Sequence, residues 1–247
     1  MSTSAERRLF VAWRRPEGLI VPVGLLTQRS TPDGLRFGFA YLKGAELNEE
    51  FPGLPGLPDF YERYGSSVLF PVFANRVMPR ERADYGSFVE QLDLAADADP
   101  FEVLARSEGV RTTDRIEVFP DAERTGDGAL ATRFFVRGIR HQPGAAEAVD
   151  QLRAGDELEL VDEPENEVNA RALLLHTRTG ECVGWAPEYL LDLLHDLHQL
   201  NGERPSITVE HVNPRSVAPH LRLLCRAQAP WPDGYRPFTG PEFQLLA

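Results

Sequence analysis

Residues 157–175 read ELELVDEPENEVNARALLL, and the fold turns on how this stretch is parsed. Leu158 and Leu160 alternate with Glu157 and Glu159, the period-2 signature of a half-buried strand. From Glu163 the chain becomes strongly polar. Glu163, Glu165, Asn166, Glu167 and Asn169 crowd around Pro164, and then the chain turns abruptly into the apolar run RALLL, residues 171–175. Proline and asparagine are turn formers with known mechanisms, preset φ and side-chain-to-backbone bonding. Two readings remain open: a solvated turn between two strands, or a binding loop held up by them.

The strand–loop–strand unit sits in a longer series. RFFVRGIRH, residues 133–141, alternates as a strand, with Gly138 inside it as a bulge or close-approach signal. A short helix is expected in GAAEAVDQL and strands in RALLLHT and CVGWAP around the turn RTGE. PEYLLDLLHDLHQLNG, residues 187–202, reads as a helix with Pro187 at its start and Gly202 as its stop. SITVEHVNP and LRLLCRAQ supply the last strands. Several short strands with two helices point to a small, partly open barrel.

Upstream, RLFVAWRR is a strand, and LIVPVGLLTQRSTPDGLRFGFAYL is a β-hairpin about the turn signal STPDG. FPGLPGLPDF, residues 51–60, predicts a coiled path that buries its regularly spaced apolar side chains. SSVLFPVFANRVMP carries a short helix or ordered turn. Tyr85, Phe88, Val89 and Leu92 recur at helical spacing. DPFEVLARSEG has Asp99 as N-cap, Pro100 at the first helical position and Gly109 as stop. DRIEVFP closes the region as a strand. Strands, loop, helices and strand in that order make an α+β region.

Between the two regions PDAERTGDGALAT, residues 120–132, has proline, glycines, mixed charge and no hydrophobic period, so it is the best linker candidate. The expected organisation is an N-terminal domain at 1–122, a linker at 123–131, a second domain at 132–230 and a C-terminal tail at 231–247.

Composition bounds the function. The chain has 247 residues, 42% hydrophobic and 26% charged, which are globular values. No apolar run is long enough to span a membrane, and MSTSAERRLF lacks the apolar core of a secretory signal; a cytoplasmic protein is expected. The net charge of −12 disfavours a protein that coats DNA non-specifically, yet leaves room for a local site with a few donors. Lys43 is the only lysine, so the donors are arginines, whose planar forks suit phosphates and base edges. Cys182 and Cys225 lie in apolar runs with no CxxC spacing and read as buried free thiols. His195 and His198 are three apart on a helix with Asp192 and Asp196 nearby, but HxxH without a third fixed ligand is a weak metal signal. Dinucleotide, P-loop and hydrolase motifs are missing, so no cofactor, no metal and no catalysis are expected.

Taken together, VRGIRH, GDELELVDEPENEVNARALLL and GECVGWAP resemble the HIRAN domain, over roughly residues 132–226. The resemblance implies a modified OB-like barrel with two helices. It also implies the binding mode of the members found on DNA-remodelling helicases, which hold single-stranded DNA at its 3′-end. The N-terminal region resembles the first subdomain of HipA-type toxin kinases over roughly residues 9–122, through VGLLTQ, DGLRFGFAYL, FANRVMP and DPFEVLARSEGVRTTDRIEVFP. The kinase body of such toxins has no counterpart in this chain. The resemblance implies a role in docking a protein partner such as a separate HipT-like kinase.

Carried over residue by residue, the HIRAN resemblance places Arg140 on the family's backbone-contacting arginine. His141 falls where an aromatic is common, as a base-stacking or phosphate-donating group. Asn166 falls in the pocket loop, with a turn-forming role as the alternative. Asn169 could bond a 3′-hydroxyl. Trp185 lies near the pocket as a stacking surface or as core. Arg137, sharing strand parity with Arg133, could extend a basic strip. The chain departs from the family at Val168 and Asn169, where an aromatic and an aspartate are usual, and at Arg171, where asparagine is usual. The leading expectation is a non-catalytic protein recognising single-stranded DNA or a 3′-end. The alternative is an antitoxin-like or defence-system adaptor acting through protein contacts alone. A positive concavity at Arg140, Arg171 and Trp185 would favour DNA. Burial of these side chains, or pairing with the glutamates of 163–167, would favour the adaptor.

Overall fold

The computed structural model describes residues 6–111 and 113–247. The chain divides into two compact units. The first comprises residues 1–89, 94–121 and 238–247, and the second residues 90–93 and 122–237. Both mix helices with antiparallel sheet, as an α+β reading requires. No helix among the described residues is long and apolar enough to cross a membrane.

The first unit is built on strands β1 (Arg7–Arg14), β2 (Ile20–Thr31) and β3 (Gly34–Tyr41). After the four-residue helix α1 (Lys43–Glu46) come β4 (Tyr64–Ser66), α2 (Pro71–Ala74), α3 (Tyr85–Gln91), α4 (Pro100–Ser107) and β5 (Ile116–Pro120). The sheet order is β4-β3-β2-β1-β5, antiparallel throughout. The expected hairpin forms: Pro32 and Asp33 make the turn, and Gly34 takes a φ of 110° that a side chain would resist. The proline-rich loop takes the expected coiled path and buries Phe51, Leu54 and Leu57. Tyr41 organises it, accepting a bond from the Leu54 N–H at 2.8 Å and donating to the Leu57 carbonyl at 2.6 Å. Burial pushes this phenol up to about 12.

Asp99 caps α4 by accepting bonds from the N–H groups of Phe101 and Glu102. The stop differs from expectation, because Glu108 already turns left-handed (φ 58°) before Gly109 repeats the conformation. The last ten residues, expected as part of a tail, pack with this unit. Gln244 accepts a backbone bond from Lys43, Leu246 donates one to Tyr41, and Phe238 and Phe243 each stand 5.2 Å from the Phe10 ring.

In the second unit residues 123–131, expected as a linker, fold as sheet. Strand β6 (Glu123–Arg124) turns tightly through Gly128 into β7 (Leu130–Phe135). The composition misled because Thr125 and Asp127, although Asp127 is exposed, bond within the turn; the Thr125 hydroxyl reaches both Asp127 and the Ala129 carbonyl. There follow α5 (Ala145–Gln151), β8 (Glu157–Asp162), β9 (Leu173–Thr177), β10 (Cys182–Trp185), α6 (Leu191–Asn201), β11 (Ser206–Val212) and β12 (Leu223–Ala229). The sheet order is β10-β9-β8-β11-β12-β7-β6. Just past β7, Arg137 bridges back to Trp185 on β10 through two backbone bonds of 2.9 Å, joining strands at opposite sides of the order. Leu158 and Leu160 face inward as the alternation demands, with the buried Thr177 and Leu175 opposite them.

One strand is shorter than its sequence pattern. RFFVRGIRH does not run through as a strand, because β7 ends at Phe135 and Ile139–His141 form a 3-10 turn. Gly138 causes the break by adopting a left-handed conformation (φ 69°). The leucine-rich helix likewise begins as a 3-10 turn, Glu188–Leu190, after Pro187.

Candidate nucleic-acid interface

Trp185 lies where three segments of the second unit meet. Its backbone pairs with Arg137. Its ring lies against Gly138: a Cβ added there would stand 2.4 Å from Cε3, so only glycine permits this seat. Its Nε1 donates to a Glu163 carboxylate oxygen at 2.6 Å. The Gly138 turn carrying Arg140 and His141 and the 163–171 loop are therefore both anchored on one half-buried indole.

Cross-strand register extends the ring into a shelf. Trp185 faces Leu174 on β9, and Leu174 faces Val161 on β8. All three are half-buried and leave part of an apolar surface open, of the kind on which a base can lie.

The loop holds itself by asparagine bonding. The Asn166 Oδ1 accepts from the N–H groups of Val168 and Asn169 at 3.0 Å, while its Nδ2 donates to the same Glu163 oxygen at 2.6 Å. Asn166 thus spends its amide on the turn. The Asn169 Oδ1 accepts from the Arg171 N–H at 2.9 Å, and its carbonyl accepts from Ala172. Val168 stands 57% exposed at the loop tip, where the HIRAN resemblance would have an aromatic. The question posed by the sequence therefore has a structural answer: the polar run is an asparagine-locked turn whose first residue grips Trp185.

The charged candidates divide. Arg140 and His141 are exposed, and the Arg140 Nε lies 3.0 Å from the His141 Nε2. Arg171 is exposed but ion-paired at 2.7 Å with Asp192 on α6, where its carbonyl also meets the His195 ring. Arg133 is ion-paired with Glu210 at 2.6 Å, which takes it out of any basic strip. Arg137 lies close enough to His220 that its charge, after burial, helps hold that imidazole below its ordinary range. Of the expected set, Arg137, Arg140, His141, Asn166 and Asn169 lie on the two segments anchored on Trp185, and Arg171 leans towards α6. No group of three metal-ligating side chains is assembled among the described residues. Cys225 is buried and Cys182 half-buried, both free, and burial raises both thiols.

Glu163 was not among the expected site residues, although it is the residue that joins Trp185 to Asn166. Its position three residues before Asn166, at the end of a strand, was the available signal; the partner on β10 was not.

Substituting Gly138 tests the seat. Gly138→Ala forces a side chain into left-handed backbone and into the indole, and should cost about 2–4 kcal/mol. Urea unfolding should show that loss, and tryptophan emission should shift to the red as the ring is displaced.

No family model matches the chain, and no match is found among curated proteins. Two solved structures are similar to part of it. One is a crystal structure of a protein from Lactobacillus plantarum, 21% identical, covering 41% of this chain and 99% of that one with a TM-score of 0.34. The other is the HIRAN domain of human HLTF, 14% identical, covering 42% of this chain and 81% of that one with a TM-score of 0.31. Likeness this remote does not carry a function across.

Proposed function

We propose that the second unit is a non-catalytic nucleic-acid-binding module that receives the exposed end of a single strand on Trp185. The observation that carries this reading is the indole itself: half-buried, fixed by Gly138 and Glu163, and continued by Leu174 and Val161. Arg140 and His141 supply donors for one or two phosphates, and Asn169 a polar group at the loop. The 3′-polarity of the end and the OB-type character of the sheet rest on the resemblance to HIRAN domains. The first unit, on its resemblance to the HipA N-terminal subdomain, docks a protein partner.

Binding of this kind is shallow in salt. One or two phosphate contacts give a slope of log K against log salt of about −0.7 to −1.4 for single strands. Fluorescence anisotropy with a labelled decathymidylate at low salt is the test. A free single-stranded 3′-end should bind more tightly than the same sequence closed in a duplex. Equal affinity for the two would overturn end recognition.

A second reading is favoured by the pairing of Trp185 with one of the glutamates of 163–167 and by the engagement of Arg171 with Asp192. The Trp185 N–H is tied to Glu163, and Glu165 and Glu167 lie exposed on the same loop. That acidic rim suits a protein partner, and the chain would then be an adaptor acting through protein contacts in both units. Retention of a protein partner after nuclease treatment, with no oligonucleotide binding, would select it.

A further inference from the structure

The first unit carries a cleft on the sheet face opposite its aromatic core, and strand register lays it out. Thr27 faces Gly38 and Gly38 faces Gly65, so across three adjacent strands Thr27 supplies the one side chain in this row. Two residues along, Arg29 faces Arg36; two residues the other way, Leu25 faces Ala40. A cleft of about 340 Å³ follows this row, with Arg63, Tyr64 and Leu245 completing its wall.

The lining charge runs against that of the whole protein. The chain carries −12, yet Arg29, Arg36 and Arg63 line this cleft with Glu6 as the one carboxylate among its lining residues. Arg29 is paired with Glu6 and Arg63 donates to the Ala247 carbonyl at 2.5 Å. Among the described residues Arg36 has a single long contact, 3.4 Å to the carbonyl of its neighbour Leu35. Guanidinium forks on two sides of a trough suit carboxylates spaced along an extended chain. Beyond Thr27 and Gly38 the floor turns apolar at Leu25 and Ala40, with Leu245 on the wall, which suits intervening apolar side chains better than a phosphodiester backbone.

We propose that this cleft docks an extended acidic segment of a protein partner, with carboxylates on the arginines and apolar side chains on the floor. This rests on the docking role proposed for the first unit and is independent of Trp185. Gly65 provides the decisive variant, because a Cβ there meets nothing within 4 Å. Gly65→Leu therefore projects a side chain from the row that continues the lining residue Gly38 onto the edge strand, and Arg36→Glu reverses the charge of an exposed lining residue.

The test is anisotropy of the full chain with fluorescein-labelled Glu-Leu-Glu-Leu-Glu, and with Lys-Leu-Lys-Leu-Lys as charge control. The acidic peptide should bind and the basic one should not. Each variant should weaken binding by at least about tenfold, the scale of losing or reversing a close charge contact. Acidic-peptide binding that survives both variants keeps the docking role but overturns this cleft. No binding of the acidic peptide overturns the acidic occupant. Displacement of the peptide by decathymidylate in a Trp185→Ala background makes the cleft a nucleic-acid site and overturns the proposal.

Discussion

Truncating Trp185 to alanine lowers the affinity for a single-stranded oligonucleotide by about 5- to 150-fold. The magnitude follows from stacking, which is worth roughly 1–3 kcal/mol per base on an aromatic platform. Val168 offers no compensating ring, since it stands exposed at the loop tip where an aromatic would have shared the load. A milder change separates ring from anchor. Trp185→Phe keeps a stacking face but loses the Nε1 donor to Glu163, so it should fall between wild type and alanine. Anisotropy titrations of the three proteins against labelled decathymidylate measure the order. Wild-type affinity in the alanine variant would remove the indole from the contact surface.

Replacing Arg76 with alanine destabilises the first unit by about 2–4 kcal/mol, chiefly because carbonyls bonded by a buried guanidinium lose their donor. The Arg76 side chain is only 3% exposed, against 35% for its partner Asp114, to which it bonds at 2.7 Å. It also donates to three carbonyls, those of Val72, Gly109 and Ile116, at 3.0, 2.8 and 3.2 Å. One guanidinium therefore ties α2 to the connection between α4 and β5. Alanine would strand buried carbonyls without a donor, each a cost of about 1–3 kcal/mol before relaxation. Lysine restores the charge but cannot reach four acceptors, so Arg76→Lys should recover only part of the loss. Urea unfolding followed through Trp13, which is buried in this unit, reads the midpoints. An unchanged midpoint in the alanine variant would show that the network adds nothing.

Arg76 and Gly138 mark where sequence stopped being legible. Local rules were sufficient for elements whose cause is local. Thr31–Gly34 announced the β2–β3 hairpin, Asp99-Pro100 announced α4, and Leu158 and Leu160 announced the inward face of β8. Gly138 could be flagged as a close-approach glycine, but the ring approaching it belongs to Trp185, 47 positions later in the chain numbering. A left-handed residue there also ended the strand, which alternation alone extended to His141. The same limit hid Glu163, whose meaning comes from a donor on another strand. It left Asn166 undecided between base reader and turn former, because only the folded loop shows its amide already spent. Arg171 was placed by its neighbours in sequence and is held by Asp192, which follows from helix docking rather than from local pattern.

The central claim is that the Trp185 indole is the surface on which a single strand rests. Fluorine NMR of protein labelled with 5-fluorotryptophan tests it most directly, since the chain has three tryptophans and Trp185→Phe assigns the resonance. Adding decathymidylate at low salt should shift the Trp185 resonance to saturation and leave that of the buried Trp13 in place. A Trp185 resonance that stays fixed while the oligonucleotide binds would contradict the account.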